Sequence, residues 1–535
     1  MMLAKPSASH GRHLGSSSLV LRNTVVNGVA ALSIGLVALV MTPVLLHHLG
    51  ASEYGVWVLA TTLTFEFGYL RLADVGLQPA IIRYVAEGLA RDSRAETSET
   101  VSTSTVFLAV VGTLLALTLA AAAPGFTALF NVEDALTDAA TLTFLIVGLQ
   151  IVVDLLAVSY VGALEGAQAF VLLRVLEVGT RVAWAAVSIM LVIAGHGVVA
   201  LAVVSLATAI LKLVFTGVLA RSLVAGVRAI PIEASLQVLG RLLSYGGRTF
   251  SLKVLAVIHR QMDRLILGFA VTTVAVASYE IVYKVHATAA ILLTIAPAAV
   301  APAAAFTNVR GDKERLRALY LRGSRYMVGV CLPLMVAALV LAETIVVAWV
   351  GPQFAGLTFA TQLFLLYPML VLVNAIGSAM FVSMGRAGEL LVPQGAAVAV
   401  NLVVSIILVG RFGVVGVVWG SVSGGVVQFV PLVRRFTRVF GVRLRTWLTS
   451  LVLPVVPVVA IQVVAAAAAW PLARRATSIW QAGMLYVVIA GIGVAAFAVV
   501  IGSGERRELV AAIRRRTGED ADAGVGSIGV SGADG

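Results

Sequence analysis

Residues 253–269 read KVLAVIHRQMDRLILGF. The stretch is apolar enough to cross most of a bilayer, yet it carries Lys253, His259, Arg260, Asp263 and Arg264. At about 100° per residue of helix, Lys253, Arg260 and Arg264 fall within an arc of roughly 40°, with Asp263 off that stripe. A charge at the bilayer centre costs about 2.5–3.5 kcal/mol even on a gentle insertion scale. Three cations on one face repel each other unless water or an anion lies beside them, so this face is expected to line a hydrated vestibule that accepts an anionic group. The plainer account is structural pairing: Asp263 with His259 or Arg260, and Glu280 with Lys284 one helix later. Snorkelling towards the interface accounts for Lys253 but not for Arg260, which lies near mid-span.

The surrounding chain makes the stretch a membrane helix. Hydrophobic residues make up 60% and charged residues 12%, where a soluble domain carries about 25% charged. Mean hydropathy is +1.01. Runs of roughly 20 apolar residues, enough to cross about 30 Å, recur near 24–46, 54–82, 101–123, 139–162, 169–193 and 198–220. A second series falls near 248–270, 278–302, 324–349, 358–383, 391–410 and 413–433, and two more near 446–468 and 479–502. The expected fold is therefore an all-α integral membrane protein with about fourteen transmembrane helices.

Basic residues fix the orientation. With the N-terminus inside, 28 of the 38 Lys and Arg fall in alternate, inner segments and 3 in the outer loops (Arg411, Arg474, Arg475). That asymmetry puts both termini in the cytoplasm. The net charge of +12 then reflects topology and anionic lipid, not nucleic acid. Trp57, Trp349, Trp470 and Trp480 fall near outer ends and Trp447 near an inner end, as an aromatic belt requires. The polar, basic opening followed by a long apolar run reads as a signal anchor.

The chain also repeats. PAIIRYVAEG (79–88) aligns with PAAAFTNVRG (302–311), AATLTFL (139–145) with FATQLFL (359–365), GAQAFVLL (166–173) with GRAGELLV (385–392), and HGVVALA (196–202) with FGVVGVV (412–418). The offsets drift steadily from 223 to 216. Six spans are duplicated, an even number, so the halves share one orientation. The expected architecture is two pseudo-symmetric six-helix bundles around a central cavity, plus two extra helices. In residues: a cytoplasmic N-terminus at 1–23, a lobe at 24–220, a linker at 221–247, a second lobe at 248–433, helices thirteen and fourteen at 446–502, and a cytoplasmic tail at 503–535, largely disordered in composition.

Enzyme chemistry finds no support. There is no H-E-x-x-H, P-loop or G-x-S-x-G, no long loop with clustered carboxylates, and a single cysteine, Cys331. Neither a cofactor nor a metal is expected. Other charges in the spans are candidates for ion or proton coupling: Glu66, which has no obvious local partner, Asp74, for which pairing with Arg71 is the alternative, and Asp263. Arg181 reads as a structural pair with Glu177.

Two passages carry a resemblance. LLHHLGASEYGVWVLATTLTFEFGYLRLADVGLQPAIIRYVA (45–86) contains Leu49-Gly50-Ala51-Ser52-Glu53-Tyr54-Gly55, then Asp74-Val75-Gly76-Leu77 and Arg83. It resembles the "LGxxxYG" and "DxGL" opening of bacterial polysaccharide exporters. Asp263 to Gly268, followed by Ser278-Tyr279, resembles the "DxxxxG … Y" start of their second half. With the 6+6+2 layout, the chain resembles the Wzx-type oligosaccharide flippases of the multidrug/oligosaccharidyl-lipid/polysaccharide exporter superfamily. The resemblance implies alternating access, an undecaprenyl-pyrophosphate-linked oligosaccharide as substrate, a bacterial cytoplasmic membrane, and drive from an ion gradient or the membrane potential. Lys253, Arg260 and Arg264 would then meet the pyrophosphate, because guanidinium groups give bidentate contacts to phosphate. Membrane lipid and other polysaccharide-assembly proteins are the remaining expected partners. The competing functions are a drug antiporter of the same superfamily, a lipid II flippase, and a membrane glycosyltransferase or polymerase.

Overall fold

A computed structural model describes residues 17–64, 69–227, 233–476 and 478–500. Glu66, residues 1–16 and the tail expected at 503–535 lie outside the described residues. Among the described residues all regular structure is helical, with no strand.

Two long helices fold back on themselves. In α1 (Ser17–Leu63) the break is Gly50, at φ 77° and ψ 169°, a backbone that side-chain-bearing residues resist. Thr42 Oγ1 and Tyr54 OH both accept from the ammonium of Lys284, at 2.5 and 2.9 Å. Along a straight helix those two residues would stand about 18 Å apart, so the segments on either side of Gly50 lie alongside each other. The chain then passes through a short 3-10 turn, Tyr69–Asp74, into α2 (Leu77–Ala90). The single span expected at 54–82 is thus broken. Asp74 Oδ1 accepts the Gly76 N–H at 3.1 Å, closing a turn in which Val75 has φ 46°.

Next come α3 (Arg94–Leu129), α4 (Thr137–Gly166), α5 (Phe170–Ile193), α6 (Val198–Leu223), α7 (Leu236–Ala270), α8 (Thr273–Val309), α9 (Lys313–Val340), α10 (Ala342–Val350) and α11 (Thr358–Ser383). Ser93 caps α3, accepting the Glu96 N–H at 3.3 Å, and Asp312 caps α9, accepting the Arg315 N–H at 2.9 Å; both satisfy orphan donors of the first turn. The seventh helix begins at Leu236, well before the position near 248 expected from hydropathy.

α12 (Gly388–Val439) turns at Gly413, φ 52°. Past the turn, Gly416 lies against the Leu408 carbonyl, Gly420 against Asn401 and Ser405, and Gly424 against the Ala397 carbonyl. The pairing order is antiparallel, and glycine at every fourth position lets the two backbones approach closely. The described residues close with the short α13 (Leu444–Trp447), then α14 (Val456–Arg475) and α15 (Ile479–Val500).

Among the described residues, ten helical stretches are long and apolar enough to cross a membrane. That is fewer than the fourteen spans expected: the fold-backs of α1 and α12 each merge two neighbouring spans, α7 carries too much charge to count as apolar, and α8 counts only as the shorter apolar stretch Val300–Val309. The internal repeat reappears as matched helix ends. α2 and α8 end at Ala90 and Val309, α4 and α11 begin at Thr137 and Thr358, and α5 and α12 begin at Phe170 and Gly388. HGVV opens α6 where FGVV forms the fold-back of α12.

Two compact units divide the chain. One takes everything to Ile295 with Val346–Val371 and Gly385–Leu432, and the other takes Ala296–Ile345, Leu372–Met384 and the chain from Val433. The first has its largest core around Tyr54, Phe144, Leu201, Tyr279 and Val417. In the second, α14 and α15 pack on α9. Gln462 there donates to the carbonyls of Pro333 and Ile489 at 2.9 and 3.1 Å, and the Phe497 ring lies against Gly329.

Candidate functional site

The first unit holds a cavity of about 410 Å³ walled by α1, α4, α5, α6, α7 and α8. Among the described residues its charged lining consists of Arg181, Arg264 and Lys284 against one carboxylate, Glu280.

Arg264 is 5% exposed. Its Nε and Nη2 donate to Glu280 Oε2 at 2.9 and 2.7 Å. Its Nη1 donates to the Arg260 carbonyl at 2.7 Å and to Gln261 Oε1 at 3.0 Å, and its guanidinium lies 4.1 Å from the Tyr283 ring centre. The other oxygen of Glu280 lies 3.8 Å from the Lys284 ammonium, which also donates to Thr42 and Tyr54. Glu280 therefore neutralises two buried cations at once, in a setting where an isolated charge is costly.

This geometry splits the expected cationic stripe. Arg264 reaches the cavity but is held by a carboxylate. Arg260 has an exposed side chain and does not line the cavity; helix α7 turns it away, and its contribution to the site is its backbone carbonyl. Lys253 lies on α7, with its side chain outside the described residues. The expected Glu280–Lys284 pair is present, although Arg264 makes the shorter bridge. Glu177 is bridged by Arg174, and Arg181 lies over the Trp184 ring at 5.4 Å.

Asp263, one residue before Arg264, faces elsewhere. It is 1% exposed, and its Oδ2 accepts from Tyr279 OH at 2.8 Å and Ser421 Oγ at 2.9 Å. Neither His259 nor Arg260 is the partner. Asn401 Nδ2 donates to Ser421 Oγ at 3.3 Å, and Ser405 Oγ donates to Asn401 Oδ1 at 2.9 Å. The second oxygen, Oδ1, is buried with no hydrogen-bond partner among the described residues. The cluster thus draws on α7, α8 and both arms of α12. A few residues away the His286 ring stacks on Phe364 at 4.0 Å. Asp74 belongs to neither group; it closes the turn before α2.

Each motif residue has a physical task. Gly50 turns α1, Glu53 Oε1 accepts the Val198 N–H at the start of α6 at 2.6 Å, and Tyr54 holds Lys284. The Gly268 carbonyl accepts from Asn131 Nδ2 at 3.3 Å, and Tyr279 holds Asp263. Sequence reasoning did not single out Gln150, Trp184, Asn401 or Ser421; the available signal was an amide or indole inside an apolar helix. It also assigned Trp57 to the aromatic belt. Trp57 is instead 6% exposed and stacked on Trp184, whereas Trp480 is open at 82%, as a belt residue should be.

The fold defines a multi-pass helical membrane protein, and its cavity is largely apolar with a few charged groups set into the lining. Solved structures share this fold. The lipid II flippase MurJ, in its inward closed conformation, superposes with a TM-score of 0.69 at 12% identity, over 90% of this chain and 99% of that one. An inward-facing multidrug resistance MATE family transporter of the MOP superfamily gives 0.61 at 15% identity, over 77% and 98%. A MOP superfamily transporter from Pyrococcus furiosus, described as having a binding pocket of reversed polarity, gives 0.53 at 14%, over 79% and 95%. No curated protein matches the sequence. The family described as "Polysaccharide biosynthesis protein" matches residues 44–358, and the chain belongs to it.

Proposed function

We propose that this protein is an alternating-access flippase of the bacterial cytoplasmic membrane, with both termini inside, that carries an undecaprenyl-pyrophosphate-linked oligosaccharide outward for surface polysaccharide assembly. It is a transporter and not an enzyme on this reading, working alongside other polysaccharide-assembly proteins. The observation that carries it is the described cavity lining, where Arg181, Arg264 and Lys284 outnumber Glu280. A pyrophosphate head carries two or more negative charges and needs such a surface to leave water. Arg264, Lys284 and Arg181 are the residues we assign to it, in place of the full Lys253–Arg260–Arg264 stripe. Glu280 then acts as a resident counter-ion: it neutralises Arg264 and Lys284 while the cavity is empty and yields them to the arriving phosphates. Release reverses the exchange, so the cations never stand uncompensated. Coupling to an ion gradient or the membrane potential is assigned to Asp263, a buried carboxylate with one oxygen unbound.

The test is translocation in proteoliposomes. A fluorescent polyprenyl-pyrophosphate oligosaccharide should become accessible to an impermeant quencher on the far side only when the protein is present. Absence of that movement, with ethidium exported instead, would replace this reading by drug antiport. A second reading, lipid II transport, is favoured by the extent of the superposition on MurJ; movement of lipid II in preference to other glycolipids would establish it.

A further inference from the structure

We propose that the wall of the cavity formed by Trp57, Trp184 and Gln150 is a sugar-binding subsite, recognising the neutral ring nearest the pyrophosphate. The proposal rests on the flippase reading and adds to it what selects the cargo.

Tryptophan in a membrane protein ordinarily gathers where its ring meets lipid headgroups. These two residues instead line a cavity, on α1 and α5, with ring centres 6.0 Å apart and planes 21° from parallel. Their neighbours on the same wall include Gln150 and Ser205, which are polar, and Arg181. An aromatic face beside polar groups suits a ligand that is apolar on one side and hydrogen-bonding at its rim.

Two unsatisfied atoms sharpen the assignment. The indole N–H of Trp184 is enclosed and has no acceptor among the described residues, and the Oε1 of Gln150 is enclosed and has no donor. The Gln150 amide is oriented by its other end, where Nε2 donates to Asp154 Oδ2 at 3.3 Å, which leaves the carbonyl as the open atom. Buried polar groups are ordinarily paired, so an unpaired donor and an unpaired acceptor on two residues of the cavity lining mark a place where a ligand completes the bonding. A phosphate oxygen only accepts, and a cationic amine only donates. A sugar hydroxyl does both, and so matches the unpaired donor and acceptor together. Arg264 and Lys284 line the same cavity, so head group and first sugar can be held at once.

The experiment measures binding to the purified full chain of three probes: polyprenyl pyrophosphate bearing a disaccharide, the same lipid without sugar, and ethidium. Wild type should prefer the glycosylated lipid. Trp184→Phe keeps a ring and removes the N–H; Gln150→Met keeps length and removes the carbonyl. Each should weaken glycosylated-lipid binding by about tenfold, the worth of a buried hydrogen bond, and leave the bare lipid within about twofold. Equal loss of both lipids would mark a structural role and overturn the subsite. So would a wild-type protein that does not distinguish them, or variants whose main loss is of ethidium. A wild type that binds neither lipid would defeat the flippase reading itself.

Discussion

Asp263 and Arg264 are adjacent in sequence and about 100° apart around α7, and the two surroundings differ in kind. Arg264 is matched by a full charge, Glu280, with further bonds to a carbonyl and an amide. Asp263 is held by two neutral hydroxyls, from Tyr279 and Ser421, with one oxygen bare. A charge compensated by an opposite charge can exchange that partner for another anion at modest electrostatic cost. A charge held only by dipoles has no such exchange available and responds instead to what neutralises it, a proton or a small cation. On this account the first setting suits cargo and the second suits coupling.

The sharpest break would come from Asp263→Asn. It preserves shape and removes the charge, and gradient-driven flipping in proteoliposomes should fall to background while lipid binding persists. Undiminished flipping would remove Asp263 from the coupling role and erase the contrast. Next in size is Arg264→Gln. Removing one partner of a buried ion pair costs about 3–5 kcal/mol, a large drop in Tm in detergent. The double change Arg264→Gln with Glu280→Gln should recover most of that stability without recovering affinity for polyprenyl pyrophosphate. Recovery of both would mean that the pair is purely architectural.

Glu280→Gln tests the counter-ion directly. The cations then depend on the ligand for neutralisation, so bare polyprenyl pyrophosphate should raise the Tm of this variant more than that of wild type; equal shifts would sink the exchange. The smallest effect belongs to Ser421→Ala. It removes one of two donors to Asp263, worth about 1 kcal/mol, and should slow transport a few-fold without abolishing it. A loss as complete as that of Asp263→Asn would show that the hydroxyl does more than support the carboxylate.

Much of this was legible in the sequence because the relevant signals are local or periodic. Membrane spans show as apolar runs, the duplication as drifting matches, and the α12 fold-back as the FGVV counterpart of the HGVV turn. What was hidden depends on partners distant in sequence. A helical wheel puts Arg260 and Arg264 on one stripe, but which edge of a stripe meets the cavity is set by neighbouring helices, and here only Arg264 reaches it. The acceptor for Arg264 is 16 residues away on α8, and Ser421 is 158 residues from Asp263; no spacing rule spans such gaps. Trp57 was misread for the same reason, since depth along a span says nothing about which way a side chain turns. The interrupted second span was visible as a weakness, in Glu66, Arg71 and Asp74, though its turn at Asp74 and Gly76 was not.

The glycines at 416, 420 and 424 give the α12 fold-back a sensitivity of its own. Ser421 sits within that run, so the separation of the two arms and the distance from hydroxyl to Asp263 are geometrically one variable. A single methyl group at position 420 would wedge the arms apart and withdraw a donor from a carboxylate on another helix. On the coupling role proposed for Asp263, such a lesion would mimic a coupling fault while touching no charged group, and the tolerance of this hairpin to substitution would report on that role.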